Sequence, residues 1–302
     1  MNNIYNTLKQ QLNGNVHKEF IIKDNTYFKI GGSVDVFVEP ENESELQFVL
    51  QQIGHSKVPF YIIGNGTNLL FSDNGYRGVV IKVGSNFNGI YVKGNKVSVG
   101  AGTLLSQTAH AAAEKGLGGL EFASGIPGYM GGAIAMNAGA YGGEMCQVIE
   151  SVRCMDYQGK VYELSNEEMH FKYRSSRVFD QGLIVLSADL RLENKDSASI
   201  YEQMKELAKK RTEKQPLDKP SAGSTFKRPQ NGFAAKLIEE AGLKGLRYRG
   251  AMISDKHCGF VINDNNAQAE DVLSLMRIIR ETVYDKYGVV LEPEVRIIGE
   301  DF

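Results

Sequence analysis

The sequence predicts an α+β fold in two bodies, and three observations carry that prediction. Short apolar strands and amphipathic helices are interleaved along the whole chain. A highly charged helix followed by Pro216 and Pro220 divides the chain near residue 215. Beyond that break, residues 216–302 have helices and strands enough for a domain of their own.

Length and composition allow this and exclude several classes. With 302 residues, 42% of them apolar, the chain can bury one large core or two moderate ones. Its 34 basic and 36 acidic residues leave a formal charge of −2, which argues against a general nucleic-acid binder. No apolar run reaches the ~18 residues of a membrane span, and Met1 to Asn6 lacks the features of a secretion signal. Cys146, Cys154 and Cys258 fall in no metal spacing, so a reduced, cytoplasmic chain without a bound metal is expected.

Each element has its own signal. Val34, Val36 and Val38 alternate with polar neighbours, predicting a half-buried strand that Pro40 ends. Leu46, Val49, Leu50 and Ile53 predict a helix stopped by Gly54. A strand from Phe60 to Ile63 then runs into Gly64-Asn65-Gly66-Thr67-Asn68, so a βαβ unit delivers a loop to a strand's carboxyl end. Strands follow at 79–83, 90–93 and 97–100, and a helix from Thr103 to Lys115. Residues 148–164 predict a hairpin turning at Gln158-Gly159, and Ser165 with Glu168 a capping box. A strand from Leu183 to Leu192 precedes the charged helix at 197–215. The second body should hold a helix from Asn231 to Ala241, a strand around Phe260 to Ile262, a long helix ended by Gly288, and a strand from Val289 to Ile298.

Function begins with the glycines, 33 in all. Only glycine lets successive backbone N–H groups converge on an anion unobstructed. Gly64-Asn65-Gly66 fits neither the dinucleotide fingerprint nor a Walker loop, and alone is as consistent with a plain turn. The second tract is more specific: residues 124–143 contain seven glycines together with Ile126, Met130, Ile134 and Met136. Apolar residues amid glycines point to a buried loop pressed against something flat or anionic.

The two loops, Gly64 to Leu70 and Gly125-Ile126-Pro127-Gly128 with Gly131-Gly132, resemble the flavin-pyrophosphate loops of the vanillyl-alcohol-oxidase-like (PCMH-type) FAD-binding fold. More narrowly, the chain resembles the UDP-N-acetylenolpyruvoylglucosamine reductase family. That resemblance takes in Thr26 to Gly32, Asn137 to Gly142, Tyr173-Arg174-Ser175-Ser176, Ala222 to Lys227 and Leu291 to Val295. Asn65 and Thr67 stand where glycine and serine are commoner. The short interval from Tyr173 to Ser224 matches the second, shorter type.

The resemblance implies an FAD-binding domain over 1–200, in subdomains of about 1–80 and 81–200. A linking helix would occupy 201–215 and a substrate-binding domain 216–302. It further implies non-covalent FAD, NADPH as reductant and a UDP-sugar substrate, with no obligate protein partner. Hydride would pass from NADPH to FAD and on to C3 of an enolpyruvyl double bond, while C2 takes a proton. FAD would rest on Ile63, Gly64, Asn65, Gly66, Thr67, Asn68 and Leu69, on Ser124, Gly125, Ile126, Pro127 and Gly128, and on Gly131, Gly132, Ala133 and Gly139.

Such chemistry needs a cationic clamp, a stabiliser of developing charge and a proton source. The resemblance assigns Arg174 to the substrate carboxylate, Ser224 to proton donation and Glu294 to proton exchange beside the transiently charged carboxylate. Arg177, Ser221 and Glu292 are the nearby decoys. Tyr141, Lys214 and Arg228 would bind substrate, with Arg228 in place of a usual asparagine. The resemblance also places His257 near the pocket in the second domain, without a role assigned to it. An oxidase of the same cofactor fold, acting on an alcohol or amine, stays open as the alternative. His55 and His110, the histidines that could tether FAD there, lie in neither glycine loop.

Overall fold

The computed structural model describes residues 1–230, 232–300 and 302. The chain divides into two compact units, one of Met1–Lys18, Val36–Asn65 and Gly78–Arg211, the other of Glu19–Asp35, Gly66–Arg77 and Thr212–Phe302. Segments 19–35 and 66–77, which local pattern reads with the amino-terminal body, thus group with the carboxy-terminal one. Leu70, Phe28 and Ile30 explain this, because they are buried in the second core with Val272, Leu275 and Val283.

The first unit contains most of one sheet and the whole of another. One has the order Asn15–Ile21, Ser33–Glu39, Tyr76–Lys82, Phe60–Ile63, and the other Val161–Ser165, Ile149–Asp156, Leu183–Arg191, Lys96–Gly100, Ile90–Lys93. Its core runs from Leu8 and Val36 through Leu105 and Ile134 to Met204. Helix Glu43–Ser56 starts where Asn42 accepts the Glu45 N–H at 3.0 Å. It runs through Gly54, whose α-carbon faces open space, and stops at Lys57 in the left-handed region. The expected stop at Gly54 is therefore three residues early. The hairpin turning at Gln158-Gly159 forms, and the Ser165–Glu168 capping bonds form around a single 3-10 turn, Glu167–Met169.

In the second unit a three-stranded sheet, Arg247–Tyr248, Ala251–Ile253 and Val261–Asn263, is covered by helix Ala269–Tyr287, which Gly288 terminates. The expected helix start at Asn231 lies outside the described residues; the helix there is Ala234–Glu240. The strand expected over 289–298 is only Arg296–Ile298, paired in parallel with Leu69–Phe71. Pro293, which cannot donate to a ladder, limits its neighbourhood to an isolated bridge with Phe226.

Candidate active site

In the first unit the two glycine tracts face each other. The side-chain amide of Asn65 donates to the carbonyl of Pro127, tying the first loop to the second. Backbone bonds from Met130 to Thr103 and from Gly131 to Ala101, both 2.8 Å, fix the second loop before helix Met130–Ala135 begins. Of the apolar residues in the tract, Met130 and Ile134 are fully buried, while Ile126 and Met136 are half-buried.

The floor between these loops fits a flat, anionic cofactor. A Cβ at Gly132 would meet nothing within 4 Å, and one at Gly64 only the Tyr129 side chain at 3.8 Å. Space kept open by glycine on both loops is what a flavin pyrophosphate needs. Gly66 serves a different purpose. Its φ of +66° and a would-be Cβ 2.1 Å from the Asn25 carbonyl make it the hinge of the loop, within the second unit.

Two side chains missed in the sequence lie beside the second loop or just ahead of it. Arg211, at the end of the charged helix, lays its Cδ 3.2 Å from the Cβ position of Gly125. Burial lowers the pKa of its guanidinium, and the Tyr141 phenol opposes that shift. Its place in a run of lysines hides it in the sequence. Glu121, only 6% exposed, accepts the Gly119 N–H at 2.7 Å and pairs with Lys195 at 2.9 Å, just ahead of Ser124. Burial alone would raise its carboxyl, but Lys195 and the backbone donors hold it below the usual value.

Arg174 sits on a tight turn closed by two backbone bonds between Lys172 and Ser175, of 2.9 and 3.2 Å. Its φ is +54°, a position that normally calls for glycine. The guanidinium lies over the Tyr173 ring at 4.9 Å and donates to the Gly139 carbonyl at 3.1 Å. Ser176 anchors the turn by donating to the Ala135 carbonyl at 2.9 Å, beside the second glycine loop. Tyr141 occupies the tip of a two-residue hairpin between Gly139–Ala140 and Gly143–Glu144. Tyr141 and Gly142 both have positive φ, +54° and +89°, the signature of a type I′ turn. Tyr141 is 47% exposed, so it is a presented tyrosine and not a core one.

Within the second unit, Ser224 and Glu294 lie on paired segments. The Glu294 N–H donates to the Thr225 carbonyl at 2.8 Å, and the Thr225 N–H donates to the Gly259 carbonyl at 2.8 Å. Asn68, from the first glycine loop, donates its amide to the Glu294 carbonyl at 3.0 Å. The decoys are otherwise engaged: Glu292 forms an exposed pair with Lys227 at 3.1 Å, Ser221 bridges Ile262, and Arg177 bonds Gln181.

Lys214 ends its helix exposed, and Arg228 stacks on Phe233 at 4.6 Å. The Nδ1 of His257 accepts the Gly259 N–H at 3.1 Å, which leaves the proton on Nε2. Burial pushes its pKa down, and Lys214 nearby adds to that shift.

The comparisons with known proteins agree with this geometry. Residues 34–165 match an FAD binding domain, and residues 215–298 match the C-terminal domain of UDP-N-acetylenolpyruvoylglucosamine reductase. The fold and its glycine floor define an FAD-binding α+β protein of the vanillyl-alcohol-oxidase-like class. A UDP-N-acetylenolpyruvoylglucosamine reductase of Clostridioides difficile is 50% identical over 280 residues, 93% of this chain and 92% of that one. Another, from Clostridium tetani, is 48% identical over 298 residues, 99% of this chain and 97% of its own. The crystal structure of the reductase from Thermus caldophilus superposes with a TM-score of 0.82 at 36% identity, covering 94% of this chain and 99% of that one. The chain belongs to the UDP-N-acetylenolpyruvoylglucosamine reductase family.

Proposed function

We propose that this chain reduces UDP-N-acetylglucosamine enolpyruvate to UDP-N-acetylmuramate with NADPH and non-covalently held FAD, a step in peptidoglycan precursor synthesis. The observation that supports this most is the floor left open at Gly64 and Gly132 in a chain of this family. Residues 1–200 are assigned to the flavin and residues 216–302 to the sugar nucleotide. The chemistry supplied by bound FAD is hydride transfer, from NADPH and on to C3 of the enolpyruvyl group.

The protein's own residues handle charge and protons. Arg174 holds the substrate carboxylate with a planar, permanently charged fork, as its stacking on Tyr173 and its bond to Gly139 favour. Ser224 gives a proton to C2, its alkoxide resupplied by relay. Glu294, its main chain tied to the Thr225 carbonyl and to the Asn68 side-chain amide, exchanges a proton with the carboxylate as charge builds there. Tyr141 donates its hydroxyl to the substrate, and Lys214 and Arg228 hold the diphosphate. The reaction is placed in the cytoplasm with no obligate protein partner, and through wall synthesis it bears on cell shape and division.

Family membership favours this reading over an alcohol or amine oxidase. The test is anaerobic: NADPH should bleach the flavin, and the enolpyruvyl sugar nucleotide should restore its colour while UDP-N-acetylmuramate appears. Colour that returns only when oxygen is admitted would favour the oxidase. Yellow colour that stays with the chain after denaturation would point the same way.

A further inference from the structure

One buried amide joins the two strained turns of the first unit. Asn137 is 2% exposed and has a φ of +41°. Its Nδ2 donates to Glu144 Oε2 at 3.0 Å and to the Lys172 carbonyl at 3.3 Å, while its Oδ1 accepts the Cys146 N–H at 2.9 Å. Glu144 is the base of the hairpin that presents Tyr141, and Lys172 the base of the turn that presents Arg174.

We infer that Asn137 is a positioning residue that sets the Arg174 turn against the Tyr141 hairpin. The inference rests on the reading of Arg174 as the carboxylate clamp. A carboxamide is the side chain that suits this place. It needs two donors toward oxygen atoms and one acceptor toward a backbone N–H, at a backbone angle that asparagine tolerates better than most residues. Aspartate would face Glu144 with like charge, and a hydroxyl could not span both bases. Arg174 reaches the same hairpin through the Gly139 carbonyl as well, so its fork and the base of its turn are both registered against that hairpin. A clamp displaced by about 1 Å loses on the order of 10²-fold in rate.

The experiment uses the FAD-loaded protein and separates the two half-reactions by stopped flow. Asn137→Gly keeps the positive φ and removes all three side-chain bonds. Bleaching by NADPH should stay within about twofold, and reoxidation by the enolpyruvyl sugar nucleotide should slow on the order of 10²-fold. In the Asn137→Gly/Arg174→Ala double variant, reoxidation should be no slower than in Arg174→Ala alone. Losses that multiply in the double variant would overturn the inference. Bleaching slowed as much as reoxidation would overturn it too, since the role would then be general packing. Asn137→Asp, which retains the Cys146 acceptor and loses both donors, should behave like Asn137→Gly; parental rates in that variant would also defeat the inference. Arg174→Ala with a parental reoxidation rate is a different outcome, which removes the clamp reading itself and the inference with it.

Discussion

Asn68 donates its side-chain amide to the carbonyl of Glu294 at 3.0 Å, and its own carbonyl accepts the Arg296 N–H at 3.0 Å. A residue of the first glycine loop is thereby clipped to the segment that carries a proposed proton-exchanging carboxylate. The pairing continues as Leu69 against Arg296 and Leu70 against Ile297. Glu294→Gln keeps the shape and these backbone bonds but cannot exchange a proton. Turnover should fall by about 10²–10⁴-fold, with flavin content and NADPH bleaching unchanged; loss of flavin in that variant would mean that the side chain is structural.

Gly132 and Gly66 should respond in opposite ways to added bulk. Gly132→Val adds carbon where nothing lies within 4 Å, so the chain should fold with its melting temperature nearly intact and come off the column colourless. Gly66→Ala puts a Cβ 2.1 Å from the Asn25 carbonyl at a φ of +66°, and should cost about 1–3 kcal/mol of stability. Absorbance near the flavin maximum, read beside thermal denaturation, distinguishes the two effects.

Acid should loosen the ground beneath the second loop. Glu121 has a folded-state pKa below its ordinary 4.5, despite its burial, because of Lys195 and the backbone donors. A depressed carboxylate contributes stability at pH values above its unfolded pKa, and that contribution is lost as pH falls below 4.5 and through the folded value. Glu121→Gln should therefore be less stable at pH 7 by about 1–3 kcal/mol. Its melting temperature should also fall less steeply than the parent's below pH 4.5. Parallel curves for the two proteins would remove Glu121 from this role.

Tyr141 is held at the hairpin tip at a conformational cost that its hydroxyl must justify. Tyr141→Phe should leave stability within about 0.5 kcal/mol. It should raise KM for the sugar nucleotide about 3–10-fold, as the loss of one hydrogen bond does. An unchanged KM would mean that the exposed ring makes no bond to the substrate.

Much of this fold is legible in sequence wherever one face of an element is buried. The alternating valines of Ser33–Glu39 and the repeating apolar positions of Ala269–Tyr287 report burial directly. Helix Asn2–Gln11 is not legible, since it buries only Ile4 and Leu8. The strand expected over 289–298 shortens to Arg296–Ile298 because Leu291 and Val295 serve the core singly around Pro293, which cannot donate to a ladder. At the proposed site, glycine clustering draws attention to the two loops, and the motifs single out Arg174, Ser224 and Glu294 for the roles proposed above. Arg211 and Glu121 escape, and Asn137 is marked by its motif without its contacts, because Gly125, Lys195 and Lys172 lie far along the chain from them. An arginine among lysines or a lone asparagine carries no local signal of a buried contact with residue 125 or 172.

In the proposed reaction one set of residues holds the flavin and another delivers the proton. Ser224→Ala tests it most directly, in anaerobic stopped flow with the flavin absorbance as the signal. NADPH should bleach the variant at the parental rate, and the enolpyruvyl sugar nucleotide should then fail to restore the colour, slowed by about 10²–10⁴-fold. Reoxidation at the parental rate, with UDP-N-acetylmuramate formed, would contradict the account.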